Sequence, residues 1–268
     1  MRTLDGVELV RYDTSYVFFV ERFSDELKNA IRDNLTAICH GPADAATGRA
    51  LYSYKTTLSD FIKRCKGKKE TRRIGLIGEL LVHVLLHTMI EDYTVSSPFF
   101  NLEEGNVKKG FDVVLLNKET HDLWITEVKS GQIHKEKTST ETVIELINTA
   151  KLDLKKRLNE NKTALWLNAI HGAKKVLENS PDEKNAVVAI LQDMGDAAAD
   201  EILTSNEANV MLVGTLFHQF SEKFNSTEIP TKREEVKQEG LFKDVIVVAI
   251  QKETYSAVYE FLEQESKQ

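Results

Sequence analysis

Apolar and polar positions along the chain alternate between strand-like and helix-like spacing. Residues 7–20, VELVRYDTSYVFFV, hold two short β-like runs around the turn formers Asp13, Thr14 and Ser15. Ser24 stands where an N-cap belongs, and Leu27, Ile31, Leu35 and Ile38 recur at helical spacing, which predicts a helix over 25–39. Residues 40–48 read as a loop. Leu51, Tyr54, Leu58, Phe61 and Ile62 then give the buried stripe of a second helix over 49–65. Residues 74–90 are apolar almost all round, the pattern of a helix buried against a sheet. YTVSS, at 93–97, predicts the first strand of that sheet.

The stretch 110–131, GFDVVLLNKETHDLWITEVKSG, predicts an antiparallel hairpin, with apolar runs at 111–116 and 123–129 joined by the polar turn NKETHD. A polar loop over 131–142 follows, then helices over 142–159 and 163–177. Residues 183–203 are ambiguous: AVVAILQDM suits a strand or a helix, whereas AAADEIL is helical. Strands are predicted at 209–217 and 242–251, around a polar segment expected to be mobile, and a short helix at 256–264. Elements interleaved in this way indicate an α/β or α+β fold, a mixed sheet flanked by helices. The expected organisation is an accessory lobe over 1–70 packed on a core over 71–268, or one continuous domain.

The hairpin also carries chemistry. Glu127 and Lys129 are two residues apart, so on a strand they project from one face. Asp112, at the start of the first strand, would lie across from them at the open end of the hairpin. Two carboxylates at one point suit Mg²⁺ or Mn²⁺, and the Val128 carbonyl would add a third hard oxygen. A lysine beside them can orient a water and steady charge on a phosphate. An isolated Glu-x-Lys is usually a solvated pair. Here it ends a run with Trp124 and Ile125, and Asp112 interrupts an apolar strand at the matching end. Glu79 interrupts a strongly apolar helix, where a carboxylate is costly unless paired, hydrogen-bonded or metal-bound. Glu79, His83 and His87 follow one another at i+4 spacing, open to two roles: a metal cluster, or core and capping histidines. The segment is not HExxH, which argues against a metalloprotease.

Asp112, fourteen residues, then Glu127-Val128-Lys129 resembles the core motif of the PD-(D/E)xK nuclease superfamily, with Glu79 matching its helix glutamate. Gly78-Glu79 on an apolar helix, Gly110-Phe111-Asp112 and TEVKSG resemble more narrowly the HamA family, nuclease subunits of the bacterial Hachiman anti-phage system. The resemblance spans roughly residues 73–131, and Phe111 stands where the superfamily often has proline. It implies a restriction-endonuclease-like core and metal-dependent DNA cleavage by Asp112, Glu127, Lys129 and Glu79. It further implies Mg²⁺ or Mn²⁺ held by Asp112, Glu127, Val128 and Glu79, and a helicase partner. The alternatives are a module that grips nucleic acid or its partner without cutting, and a homodimeric structure-specific resolvase.

Composition adds bounds. With 268 residues, 41% hydrophobic and 29% charged, the chain is of ordinary globular type. Cys39 and Cys65 make no disulfide framework. The N-terminus has no apolar signal core and no apolar run approaches about 18 residues, so a cytosolic protein without membrane contact is expected. Oligomeric state is not encoded in any pattern. The net charge of −7 is unusual for a nucleic-acid binder, unless basic residues are grouped or a partner delivers the substrate. Such a group exists: Lys63, Arg64, Lys66, Lys68, Lys69, Arg72 and Arg73 against one acidic residue in 63–73, with Lys108 and Lys109 just before Asp112. The stretch is either a solvated loop or a phosphate-contacting patch.

Overall fold

A computed structural model describes residues 3–99, 110–133 and 136–267. In chain order it forms β1 (Val7–Tyr12), β2 (Ser15–Val20), α1 (Asp25–His40), α2 (Pro42–Ala45), α3 (Tyr54–Cys65), α4 (Glu70–Met89) and β3 (Tyr93–Val95). Then follow β4 (Val113–Asn117), β5 (Leu123–Gln132), α5 (Ser139–Asn159), α6 (Thr163–Val176), α7 (Pro181–Ala199), β6 (Asn209–Phe217), α8 (Glu228–Gln238), β7 (Asp244–Lys252) and α9 (Ser256–Glu265). Among the described residues no helix is long and apolar enough to cross a membrane.

The strands build one seven-stranded mixed sheet in the order β1-β2-β7-β6-β5-β4-β3. β2, β7, β6 and β5 run parallel, and antiparallel pairs close the sheet at both edges. Parallel strands covered on both faces need apolar side chains in both directions. Every residue of β6 and β2 is accordingly buried. The N-terminal strands are part of this sheet, with β2 in register against β7 from Ser15↔Val247 to Val20↔Lys252.

Side-chain parity divides the core in two. One face takes Trp124, Val128, Met211 and Val213 under α1, α3, α4 and α9. The other takes Ile125, Val210 and Leu212 under α5, α6, α7 and α8. The approach of α4 is close because Gly78 has no side chain; a Cβ there would overlap Ser130 Oγ and lie 2.7 Å from Ser130 Cβ.

Several elements depart from the expectations. Residues 183–203 resolve mainly as α7, with Pro181 in the first turn beside Asp182 and Glu183, a favourable start for a helix. The polar segment between the last two strands is largely α8, which buries Ile229, Lys232 and Val236. Arg233 fastens it to β7, donating to Asp244 Oδ1 at 2.8 Å and to the Val245 carbonyl at 2.9 Å. α4 begins at Glu70 rather than 74, and α5 at Ser139 rather than 142. The latter start is set by a capping box between Thr138 and Glu141. The loop over 40–48 contains the single turn of α2.

Candidate active site at the open end of the hairpin

The hairpin forms because Asn117 closes it. Its side-chain oxygen accepts from the backbone N–H groups of Glu119 and Thr120, both at 2.9 Å, and its own N–H donates to the Asp122 carbonyl. His121 takes a left-handed φ of 58° to complete the turn. The register that follows pairs Val113 with Thr126, which sets Asp112, one residue before β4, across from Glu127. Asp112 Oδ2 there accepts the Val128 N–H at 2.8 Å, continuing the ladder with a side chain. In a strand a residue's N–H and C=O point the same way, so the Val128 carbonyl also points toward the Asp112 side.

Glu127 and Lys129 both project from the α5 face of the sheet. Lys129 Nζ lies 2.8 Å from Glu127 Oε1 and 2.7 Å from Asp153 Oδ2, and Arg157 Nη1 lies 2.6 Å from Glu127 Oε2. Asp153 and Arg157 are one turn apart on α5, so a chain of charges runs Asp153–Lys129–Glu127–Arg157. Glu127 is nearly sealed, its side chain 3% exposed, while those of Lys129 and Arg157 reach solvent at 26% and 25%.

Burial, and after it the charge of Asp112, push the Glu127 carboxyl well above the usual carboxylate range, although Arg157 and Lys129 pull the other way. Burial by itself would lower the Lys129 ammonium, but Glu127 and Asp153 outweigh it and raise it. Burial and the neighbouring Asp112 charge together outweigh the two cations, so Glu127 is under-compensated. A cation between Asp112 and Glu127 would relieve that repulsion. Mg²⁺ is commonly held by one or two carboxylates with waters and substrate phosphate, so this donor set fits it.

The other sequence-predicted residues lie elsewhere. Glu79 is on α4, across the sheet from Glu127 and Lys129, where its charge and that of Arg64 act on Cys39. The fold therefore does not bring Glu79 to the pair. His83 is in the core with its ring edge-on to Phe99, and His87 is exposed. Among the described residues no group of three or more His, Cys, Asp or Glu side chains is placed to hold a metal.

The basic stretch is split. Lys63 and Arg64 end α3, Arg72 and Arg73 begin α4, and Lys66, Lys68 and Lys69 are exposed on the link. Lys63 pairs with Asp60 at 3.1 Å, and Arg73 sits over the Tyr259 ring. α3 and α4 belong to the sheet face opposite Glu127. Lys108 and Lys109 lie outside the described residues. Asp153 and Arg157 were missed by sequence reasoning; their only signal is a pair of opposite charges at i,i+4 beside the buried stripe Ile147, Leu154 and Leu158.

Fold and site together define a mixed α/β protein with an Asp–Glu–Lys constellation, its glutamate buried, at the end of a hairpin. A family model described as HamA matches residues 5–264, and the chain belongs to the HamA family. That membership associates it with Hachiman anti-phage defence. No curated protein matches the chain.

Proposed function

We infer that the chain is a metal-dependent deoxyribonuclease of the PD-(D/E)xK type, acting in anti-phage defence with a helicase partner. The observation that carries this is the meeting of Asp112, Glu127 and Lys129, with Asp112 bonded to the Val128 N–H and Lys129 to Glu127, each at 2.8 Å. Asp112 and Glu127, with the Val128 carbonyl, would hold Mg²⁺ or Mn²⁺. That ion would supply Lewis acidity at a phosphate oxygen and a more acidic water.

The protein's own groups do the rest. Lys129, steadied by Asp153, donates to the attacking water and orients it toward phosphorus. The same ammonium faces the negative charge that grows on the phosphoryl oxygens. Apolar packing around Glu127 keeps bulk water away, which strengthens each of these electrostatic contacts.

The test is cleavage of duplex and single-stranded DNA by the purified chain, alone and with its helicase partner. Mg²⁺ or Mn²⁺ should support cutting, and EDTA should abolish it. Ca²⁺ should bind without turnover, its geometry being looser. Lys129→Ala should lose about 10²–10⁴-fold in rate while DNA binding in Ca²⁺ persists. Cleavage at the wild-type rate in EDTA or in Lys129→Ala would rule this function out. DNA binding without cutting under every condition would favour a gripping module instead.

A further inference from the structure

Both oxygens of the Glu127 carboxylate are occupied by cations, Oε1 by Lys129 and Oε2 by Arg157 at 2.6 Å. The two cations are not equivalent. Lys129 has a second carboxylate, Asp153, at 2.7 Å, and keeps a partner if Glu127 turns to another. Arg157 has no second carboxylate at ion-pair distance among the described residues; Glu160 feels its charge only at longer range, and its one ion pair is with Glu127. It also sits in the last turn of α5 with its side chain a quarter exposed, so the rest of its five-donor fork borders solvent.

A divalent ion cannot take Oε2 of Glu127 while the Arg157 guanidinium holds that oxygen, and two positive charges on it would repel strongly in so buried a place. Arg157 would have to leave as the ion arrives. A guanidinium released at the mouth of such a site, still tethered by its helix, finds its best acceptor in a planar or tetrahedral oxyanion. The phosphodiester arriving with the ion offers two non-bridging oxygens at matching spacing.

We propose that Arg157 is a catalytic residue that exchanges partners, holding Glu127 in the free chain and clamping the substrate phosphodiester once Glu127 binds metal, an assignment that rests on the nuclease reading above. Asp153 is the matching positioning residue, which keeps Lys129 in place during the exchange. The free chain is thereby held with its metal-binding carboxylate blocked, and substrate phosphate favours the open arrangement by giving Arg157 somewhere to go.

The exchange predicts opposite signs for two measurements on one variant. Titrating Mn²⁺ into the full chain without DNA should show binding about tenfold tighter for Arg157→Gln than for wild type, because a competing cation is gone. DNA cleavage in Mg²⁺ should fall about a hundredfold for the same variant. Arg157→Lys keeps the charge and should stay within about twofold of wild type for Mn²⁺, with part of the cleavage restored. Unchanged or weaker Mn²⁺ binding by Arg157→Gln would overturn the exchange and reduce Arg157 to a brace for Glu127. Mn²⁺ uptake by neither wild type nor variant would overturn it too. Wild type that takes up Mn²⁺, with Arg157→Gln tighter, yet cuts no DNA would sink the nuclease function and leave the competition at Glu127 standing.

Discussion

Asp112 accepts the backbone N–H of Val128 through Oδ2 at 2.8 Å, so one carboxylate both extends the β4–β5 ladder and faces Glu127. The two roles separate by substitution. Asp112→Asn retains an oxygen for the Val128 N–H and should keep wild-type stability within about 0.5 kcal/mol. It should nonetheless cut DNA poorly, a neutral amide being a weak ligand for a hard cation. Asp112→Ala removes both roles and should cost about 1 kcal/mol further in urea unfolding. Equal stability of the two variants would show that the hydrogen bond contributes nothing to the fold.

Gly75 and Gly78 lie on one helix, yet they should respond oppositely to alanine. A Cβ at Gly78 would overlap Ser130 Oγ, whereas one at Gly75 meets nothing within 4 Å. Gly78→Ala must push α4 off β5 and should destabilise by about 1–3 kcal/mol. Gly75→Ala removes a flexible residue from a helix interior and should stabilise by about 0.5–1 kcal/mol. Chemical denaturation of both variants decides this, and a stable Gly78→Ala protein would mean that α4 sits farther from β5.

The C-terminal helix is tied down by Glu265, which accepts from Arg32 Nε at 2.9 Å and from the Tyr54 hydroxyl. The Arg32 hydrogen bond is the main reason its carboxyl is held below the usual range. A depressed folded-state value means that the contribution is complete above the unfolded value of about 4.3 and disappears as pH falls through the folded one. Arg32 is partly solvated, so about 1 kcal/mol is expected. Glu265→Gln should therefore be less stable than wild type at pH 7 and converge with it as pH falls below the folded-state value. Parallel curves over that interval would remove Glu265 from the acid response.

An acidic chain with exposed Lys66, Lys68 and Lys69 on the α3–α4 link offers one local place for a polyanion. If those side chains touch phosphates, neutralising all three should weaken every duplex alike. Each lost contact should also flatten the log–log salt slope by about 0.9. An unchanged slope with poorer recovery of the proposed helicase partner would make the link a protein-docking surface.

Much of this architecture was determined by local pattern. The strands at 7–20, the hairpin and the strand at 209–217 stand where apolar runs and turn formers put them, because burial on a sheet leaves a period-two or continuous apolar signature. α1 starts after Ser24 because that hydroxyl accepts the Leu27 N–H, a contact only three residues long. The meeting of Asp112 with Glu127 was equally legible, since a short turn and strand register are enough to produce it.

What only the tertiary structure decided depends on which faces meet. Parity placed Glu127 and Lys129 on a common side, but no local rule said whether α4 or α5 would cover it. The covering helix proved to be α5, which brought in Arg157 from 30 residues away and left Glu79 beneath the other face. In the same way α8 gains its place through Arg233 and a narrow apolar stripe on β7, a contact invisible in so polar a segment. Backbone hydrogen bonding and apolar periodicity act within a few residues and are written along the chain. The pairing of buried charges is set by sheet order and helix crossover, and these are settled only when distant apolar faces are packed together.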